Sequence, residues 1–376
     1  MSPHAARRAI SAVFFVDGAA LGGWAAHIPD AKHTLALTDR GLGLVLLASA
    51  VGAVTTMPFA GPLIHRFGSR GISVWAGFAL CGIVPLLFVA PSMPLFVATL
   101  FLVGVSNGQM DVAMNAHSMA VQDRFDRPVL SAIHGWFSVG GFAGGAGAAL
   151  AARLGLPPLA HLAVASVVLV GVLAYARRFL LPAAVDQNEG GGHLALPKGI
   201  LWLLGALCLF AFVSEGALWD WSAVYLRDAL GAPPAIAALG FGLASLAMAG
   251  GRFLGDAWNR RIGAGRLLLL SALASFFGLV LAVSLPTPPL AIAGFALAGL
   301  GLANVVPLIF RAAAKVPGVS AGHGLAAVTT CGYSGFLGGP PVVGLIAHER
   351  GLGFALGTVA ALCLLIAFAT PKVRTE

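Results

Sequence analysis

Apolar runs of about twenty residues follow one another along almost the whole of this 376-residue chain, each long enough to cross the hydrocarbon core of a bilayer. Twelve are legible, at roughly 9–28, 41–60, 71–90, 94–117, 130–151, 157–176, 199–226, 233–254, 266–285, 289–311, 322–347 and 352–370. With only 10% of its residues charged, the chain falls far below the roughly 25% of a soluble domain. The fifty glycines suit helices that approach closely in lipid, where small interface residues replace a hydrophobic drive to associate. They follow no strict third-residue period, which excludes collagen.

A net charge of +8 would suggest nucleic acid in a soluble protein. Here the basic residues cluster in short segments between apolar runs, as cytoplasmic loops facing anionic lipid do, so no nucleic-acid partner is expected. Cys81, Cys208, Cys331 and Cys363 all lie inside apolar runs, without metal-ligand spacing, and read as small buried hydrophobes. The opening MSPHAARRAI enters the first run without a small-residue cleavage site, so that run reads as a retained span. An even number of spans puts both termini on one side. With the N-terminus inside, Lys32, Arg40, Arg153, Arg227 and Arg350 fall outside and the other seventeen of 22 basic residues fall inside, a strong orientation signal.

The longest polar interruption, 177–198, separates a first set of six spans, 1–176, from a second, 199–376. DGAALGGWAA from Asp17 recurs as EGALWDWSA from Glu215, and GFAGGAG from Gly141 recurs as GFLGGPP from Gly335. Two six-helix bundles in parallel repeat resemble the major facilitator superfamily, which implies an all-α membrane fold of twelve transmembrane helices.

Charge near the bilayer centre costs at least about 2.5 kcal/mol, so an acid inside a span is a functional candidate by default. Asp17, Asp111 and Glu215 meet that description, in the first, fourth and seventh spans. The first and fourth spans run in opposite directions, which sets Asp17 and Asp111 at similar depth, about 9 to 12 Å from the inner ends. Buried carboxyl groups near one another can exchange protons under physiological conditions, as a proton-coupled carrier requires. The bland reading is an acid satisfied by local hydrogen bonds, and Glu215 has Ser214 beside it for that purpose.

Asn107, Asp111 and Asn115 recur every fourth residue and share one helical face suited to gripping hydroxyls. LSAIHGWFSVGG places Ser131, His134 and Ser138 on a second face, where His134 can relay a proton or bind solute, or serve simply as a bonded core residue. The second half offers Asn304 and Tyr333, with Thr329 and Thr330 reading as packing hydroxyls. Among the tryptophans, Trp24 and Trp136 are candidates to cover solute C–H surface. Trp219 and Trp221 read as an interfacial belt, and Asp220 as an external gate or surface residue. GPLIHRFGSR (61–70) and GRFLGDAWNRRIG (251–263) occupy corresponding cytoplasmic turns. There Arg66, Arg70, Arg252, Asp256, Arg260 and Arg261 can bridge the bundles in one conformational state.

GPLIHRFGSR also resembles the superfamily's G-x-x-x-D-R-x-G-R-[RK] signature, with His65 in place of the usual acid. DVAMN, HGWFSVGG and EGALWDWSAVYL resemble the fucose:proton symporters and their bacterial inner-membrane relatives. That resemblance implies proton coupling at Asp17 and substrate recognition coupled to protonation at Asp111, where those symporters carry a glutamate. The expectation is a non-enzymatic secondary transporter of a sugar or related metabolite in the bacterial inner membrane, monomeric, with both termini cytoplasmic. Its partners are a small solute, protons and lipid, with no cofactor and no metal site. No G-x-x-x-x-G-K-[ST] motif supplies nucleotide energy and no H-E-x-x-H motif supplies a metal centre. Proton-coupled export of drugs or metabolites is the competing expectation.

Overall fold

A chain that crosses hydrocarbon must satisfy its backbone internally, and the described residues of this one do so with helices. The computed structural model describes residues 2–89, 92–182 and 197–373; most of the expected 177–198 connector lies outside the described residues. Among the described residues there are eleven α-helices: α1 Pro3–Thr34, α2 Asp39–Ile83, α3 Met93–Gln122, α4 Leu130–Arg153, α5 Pro158–Ala176, α6 Ile200–Val224, α7 Pro234–Ile262, α8 Ala264–Ser284, α9 Pro288–Ala314, α10 Ala321–Arg350 and α11 Leu352–Ala369. Helix α2 covers two of the expected spans. It breaks at Gly68, whose φ of 75° and ψ of 152° are not helical, so twelve helical rods result. Nine helices among the described residues are long and apolar enough to cross a membrane by composition, α2 counting once among them. Several overrun their expected spans by a turn or more at an end, α1 and α3 among them.

Chain contacts group into two compact units, one of Met1–Leu37, Val45–Gly191 and Pro233–Gly242, the other of Thr38–Leu44, Gly192–Ala232 and Leu243–Glu376. In the first unit, α1 and α4 meet backbone to backbone. A Cβ on Gly18 would collide with the Phe137 carbonyl, one on Gly22 would stand 2.7 Å from Gly141 Cα, and Gly144 abuts Gly23 N from the other side. Only glycine allows that approach. In the second unit, α6 packs on α10 with Gly335 against the Leu209 carbonyl, and α8 packs on α9 through Gly278 and Gly294.

The duplication is written into the backbone. Positive φ occurs at Ala36 and Gly231, at Gly68 and Gly263, and at Gly155 and Gly351, pairs separated by 195, 195 and 196 residues. Gly263, with φ 81° and ψ 156°, repeats the Gly68 conformation almost exactly in kind, as the N-cap of α8. This register corrects the reading of the two basic turns. Residues 251–262 are the last three turns of α7, and 61–67 the end of the first rod of α2; the turns themselves are Gly68 and Gly263.

Candidate transport site

Because α1 starts at Pro3, Asp17 lies fourteen residues along it, about 21 Å from that end. Asp111 lies eleven residues before the end of α3, about 16 Å. Both stand further from their helix ends than from the ends of the apolar runs, since the helices extend beyond those runs. Asp17 is 1% exposed, set beside the Gly18 seam between α1 and α4. Its Oδ1 has no hydrogen-bond partner. Asp111 lies within electrostatic reach of it. Asn115, one turn further along α3, donates Nδ2 to the Asp111 carbonyl at 2.8 Å and to its Oδ1 at 3.0 Å. Asn107, on the preceding turn, buries an Oδ1 without a partner. The expected stripe therefore exists, with one amide committed to the carboxylate and the other holding an unsatisfied acceptor.

His134 turns its ring onto Phe14, centroids 4.8 Å apart, and Ser138 is buried one turn on. Trp136 is 42% exposed and meets Phe15 edge-on at 6.5 Å. Two residues apart on a helix do not face each other, so His134 and Trp136 point to different sides of α4. Trp24 is core, packed on Phe88 and Phe96. Trp221 is fully buried with its Nε1 unpartnered, against the belt expected for it, whereas Trp219 is only partly buried.

In the second unit, Glu215 is not satisfied by Ser214, whose hydroxyl donates to the Phe210 carbonyl. Its partner is Arg252, which donates Nη2 to Glu215 Oε1 at 2.9 Å. Arg252 lies ten residues before the end of α7, about 15 Å from the turn at Gly263, and is a residue of the helix interior rather than of the turn. Aligning GRFLG with GPLIH places it at the turn. The shared turn geometry instead puts Arg252 in register with Met57, 195 residues earlier. Asp256 follows one turn later, and Arg260 and Arg261 sit in the last turn of α7. In the first unit Arg66 lies over the ring of Phe67, 5.1 Å from its centroid, just before Gly68, and Arg70 lies just after.

Asn304 is buried on α9, its Oδ1 over Gly255 of α7 and its Nδ2 unpartnered. It corresponds to Gln109 of α3, which donates to the Thr56 carbonyl and hydroxyl at 2.6 Å. Tyr333 of α10 lies parallel to Phe212 of α6, centroids 5.8 Å apart. Thr330 bonds back to the Ala326 carbonyl, as a packing hydroxyl does. The four cysteines are unpaired, three of them buried.

A membrane-embedded helical repeat with polar and charged groups at mid-depth is the construction of a transporter. The sequence pattern that defines the Major Facilitator Superfamily matches residues 10–340. The chain is 36% identical to an MFS-type transporter of Yersinia pestis, over 94% of this chain and 92% of that one. It is 35% identical to membrane protein MosC of Rhizobium meliloti, over 96% and 88%. In fold it resembles the nucleoside transporter NupG (TM-score 0.72, 14% identity, 98% and 99% covered) and the xylose transporter XylE from E. coli (0.72, 13%, 98% and 97%). The chain belongs to the major facilitator superfamily: it is a multi-pass membrane transporter and not an enzyme.

Proposed function

We propose that this protein is a proton-coupled secondary transporter of a small polar solute, a sugar or related metabolite, working by alternating access. It works as a monomer in the bacterial inner membrane, with both termini in the cytoplasm and lipid around it. The observation that carries the reading is Asp17: a carboxyl group buried in α1 with one oxygen unpartnered and a second acid, Asp111, within electrostatic reach. An intramembrane acid left in that condition is suited to carrying a proton and poorly suited to bracing a bundle. Asp111, held by Asn115 and flanked by Asn107, offers acceptors and donors for hydroxyls and senses the charge on Asp17. His134 and Ser138 add polar groups from α4, whereas Trp136 projects from a different side of that helix. The resemblance to fucose:proton symporters supports the same division of roles.

The bundles are taken as 1–176 and 199–376, joined by 177–198. Arg66, Arg70, Asp256, Arg260 and Arg261 remain the gate candidates around Gly68 and Gly263. Arg252 and Glu215 are assigned away from gating and proton carriage because each satisfies the other.

The test is Asp17→Asn in proteoliposomes, with a radiolabelled sugar that the wild type exchanges. An amide cannot lose and regain a proton, so accumulation under an imposed pH difference disappears while solute-for-solute counterflow persists. Accumulation at the wild-type level would remove Asp17 from the coupling role.

A further inference from the structure

Between the opening turn of α1 and the loop that joins α3 to α4 lies a recess of about 420 Å³, lined by Pro3, His4, Arg124, Phe125, Asp126 and Arg127. All of it belongs to the first unit, and nothing in the transport reading uses it. One side chain holds the loop in shape. Gln122, the last residue of α3, donates Nε2 to the Arg127 carbonyl at 3.1 Å, and its Oε1 accepts from the Val129 N–H at 2.7 Å. The His4 ring meets Phe125 edge-on, centroids 5.3 Å apart, which ties the start of α1 to this loop. Phe125 is half-buried, and the side chains of His4, Arg124, Asp126 and Arg127 are exposed. Among the described residues neither the Arg124 nor the Arg127 guanidinium has an ion-pair partner. Asp126 brings a carboxylate into the lining, and Asp123 stands just outside it. The first turn of α1 carries no acid, and Arg7 and Arg8 follow in the next.

From this arrangement we infer that the recess binds the phosphate of an anionic phospholipid headgroup of the phosphatidylglycerol type. The inference goes beyond the transport reading and does not depend on the solute or on proton coupling. Guanidinium groups are planar forks of donors that match phosphate oxygens, and an imidazole ring adds an N–H. Two guanidiniums against one carboxylate leave the lining with an excess of one positive charge, and a phosphodiester brings one negative charge. Asp126 repels a second negative charge, which disfavours a phosphate monoester. Position names the source of the phosphate. In the spans read from the sequence, the first apolar run begins at residue 9 and the fifth at 130. His4 stands five residues before the one and Arg127 three before the other, about 4.5 to 7.5 Å along the chain axis at helical rise. The headgroup layer on each side of a bilayer is roughly 5 to 7 Å thick, so the recess opens at headgroup depth. Basic pockets on the cytoplasmic side of membrane helices attract anionic headgroups for the same electrostatic reason. A lipid held here joins the start of α1 to the loop that leads into α4.

The experiment uses the full chain in detergent and follows its unfolding temperature, which a ligand of the folded state raises. The probes are phosphatidylglycerol and phosphatidylcholine with the same acyl chains, glycerol 3-phosphate and inorganic phosphate. The expected result is a rise with phosphatidylglycerol at concentrations where the other three give little. Its apparent affinity falls at least about tenfold in the double variant Arg124→Gln, Arg127→Gln. Arg127→Gln alone serves if that variant does not fold. The double variant Arg311→Gln, Lys315→Gln removes the same charge at the end of α9 and keeps the response. A phosphatidylglycerol response unchanged in the first double variant, or lost equally in the second, overturns the recess as the site. An equal rise with phosphatidylcholine overturns the choice of an anionic headgroup. A rise with glycerol 3-phosphate or inorganic phosphate that matches phosphatidylglycerol overturns lipid as the occupant, and silence from all four probes overturns the site itself. None of these outcomes alters the test of Asp17.

Discussion

Asp17 and Glu215 begin the same short pattern in the first helix of each half, an acid followed by Gly-Ala, and each has a phenylalanine three residues earlier. Phe14 faces a ring from α4, His134; Phe212 faces a ring from α10, Tyr333. The halves part at the acid itself. Glu215 is neutralised by Arg252 from α7, whereas the first half has Met57 in that register and leaves Asp17 with a bare oxygen near Asp111. Duplication preserved the frame, and a single position in the neighbouring helix separated a charge that is locked from one that is available.

The largest effect that bears on this contrast is at Arg252. Removing one partner of this partly buried pair leaves the other charge without it, so Arg252→Ala should lower stability by up to about 3 kcal/mol. Asp17→Asn should cost less than about 1 kcal/mol because it removes no ion pair. The double change Glu215→Gln, Arg252→Gln should restore most of the loss, since the two changes are coupled. Denaturation in detergent measures all three, and equal losses for Arg252→Ala and Asp17→Asn would break the comparison.

The glycine after each acid gives the next largest difference. A Cβ on Gly18 meets the Phe137 backbone, which has nowhere to move, while one on Gly216 meets only the Phe336 ring at 3.5 Å. Gly18→Ala should cost up to about 3 kcal/mol as overpacking. Gly216→Ala, in ordinary contact within a helix, should be neutral or stabilising by up to about 1 kcal/mol. Similar melting shifts for the two would mean that the seam of the first half is no tighter than its counterpart.

The smallest expected effect is one where the halves should agree. Gly68 and Gly263 share a conformation that side chains avoid, so Gly68→Ala and Gly263→Ala should each cost about 1 to 2 kcal/mol. A loss at only one of them would show that the turns are not equivalent.

Much of the frame was legible in advance. The apolar runs follow from span length and the repeat from recurring motifs, and the helices carried both through. The partner of Glu215 was not. Arg252 lies 37 residues from it, and its place in a glycine-containing basic motif suggested a turn. The available signal was depth: counted back from Gly263, Arg252 is nearly three turns inside a helix, where an arginine needs an acid. Trp221 was misplaced for a different reason. Helix α6 is apolar on nearly every side, so its periodicity does not say which face is buried.

What the sequence determined by itself is the solvent, the element type and the count of rods, because hydrocarbon thickness and backbone satisfaction leave a chain of such apolar runs one option. It also determined where charge is costly, since no lipid environment solvates a carboxylate. Only the tertiary structure decided which of those charges is cancelled. Whether an acid finds its cation depends on helix rotation and register to within a residue, and these are set by how closely glycine seams and turns allow neighbouring helices to pack. Residues that read alike along the chain, Asp17 and Glu215, were thereby given different partners in space.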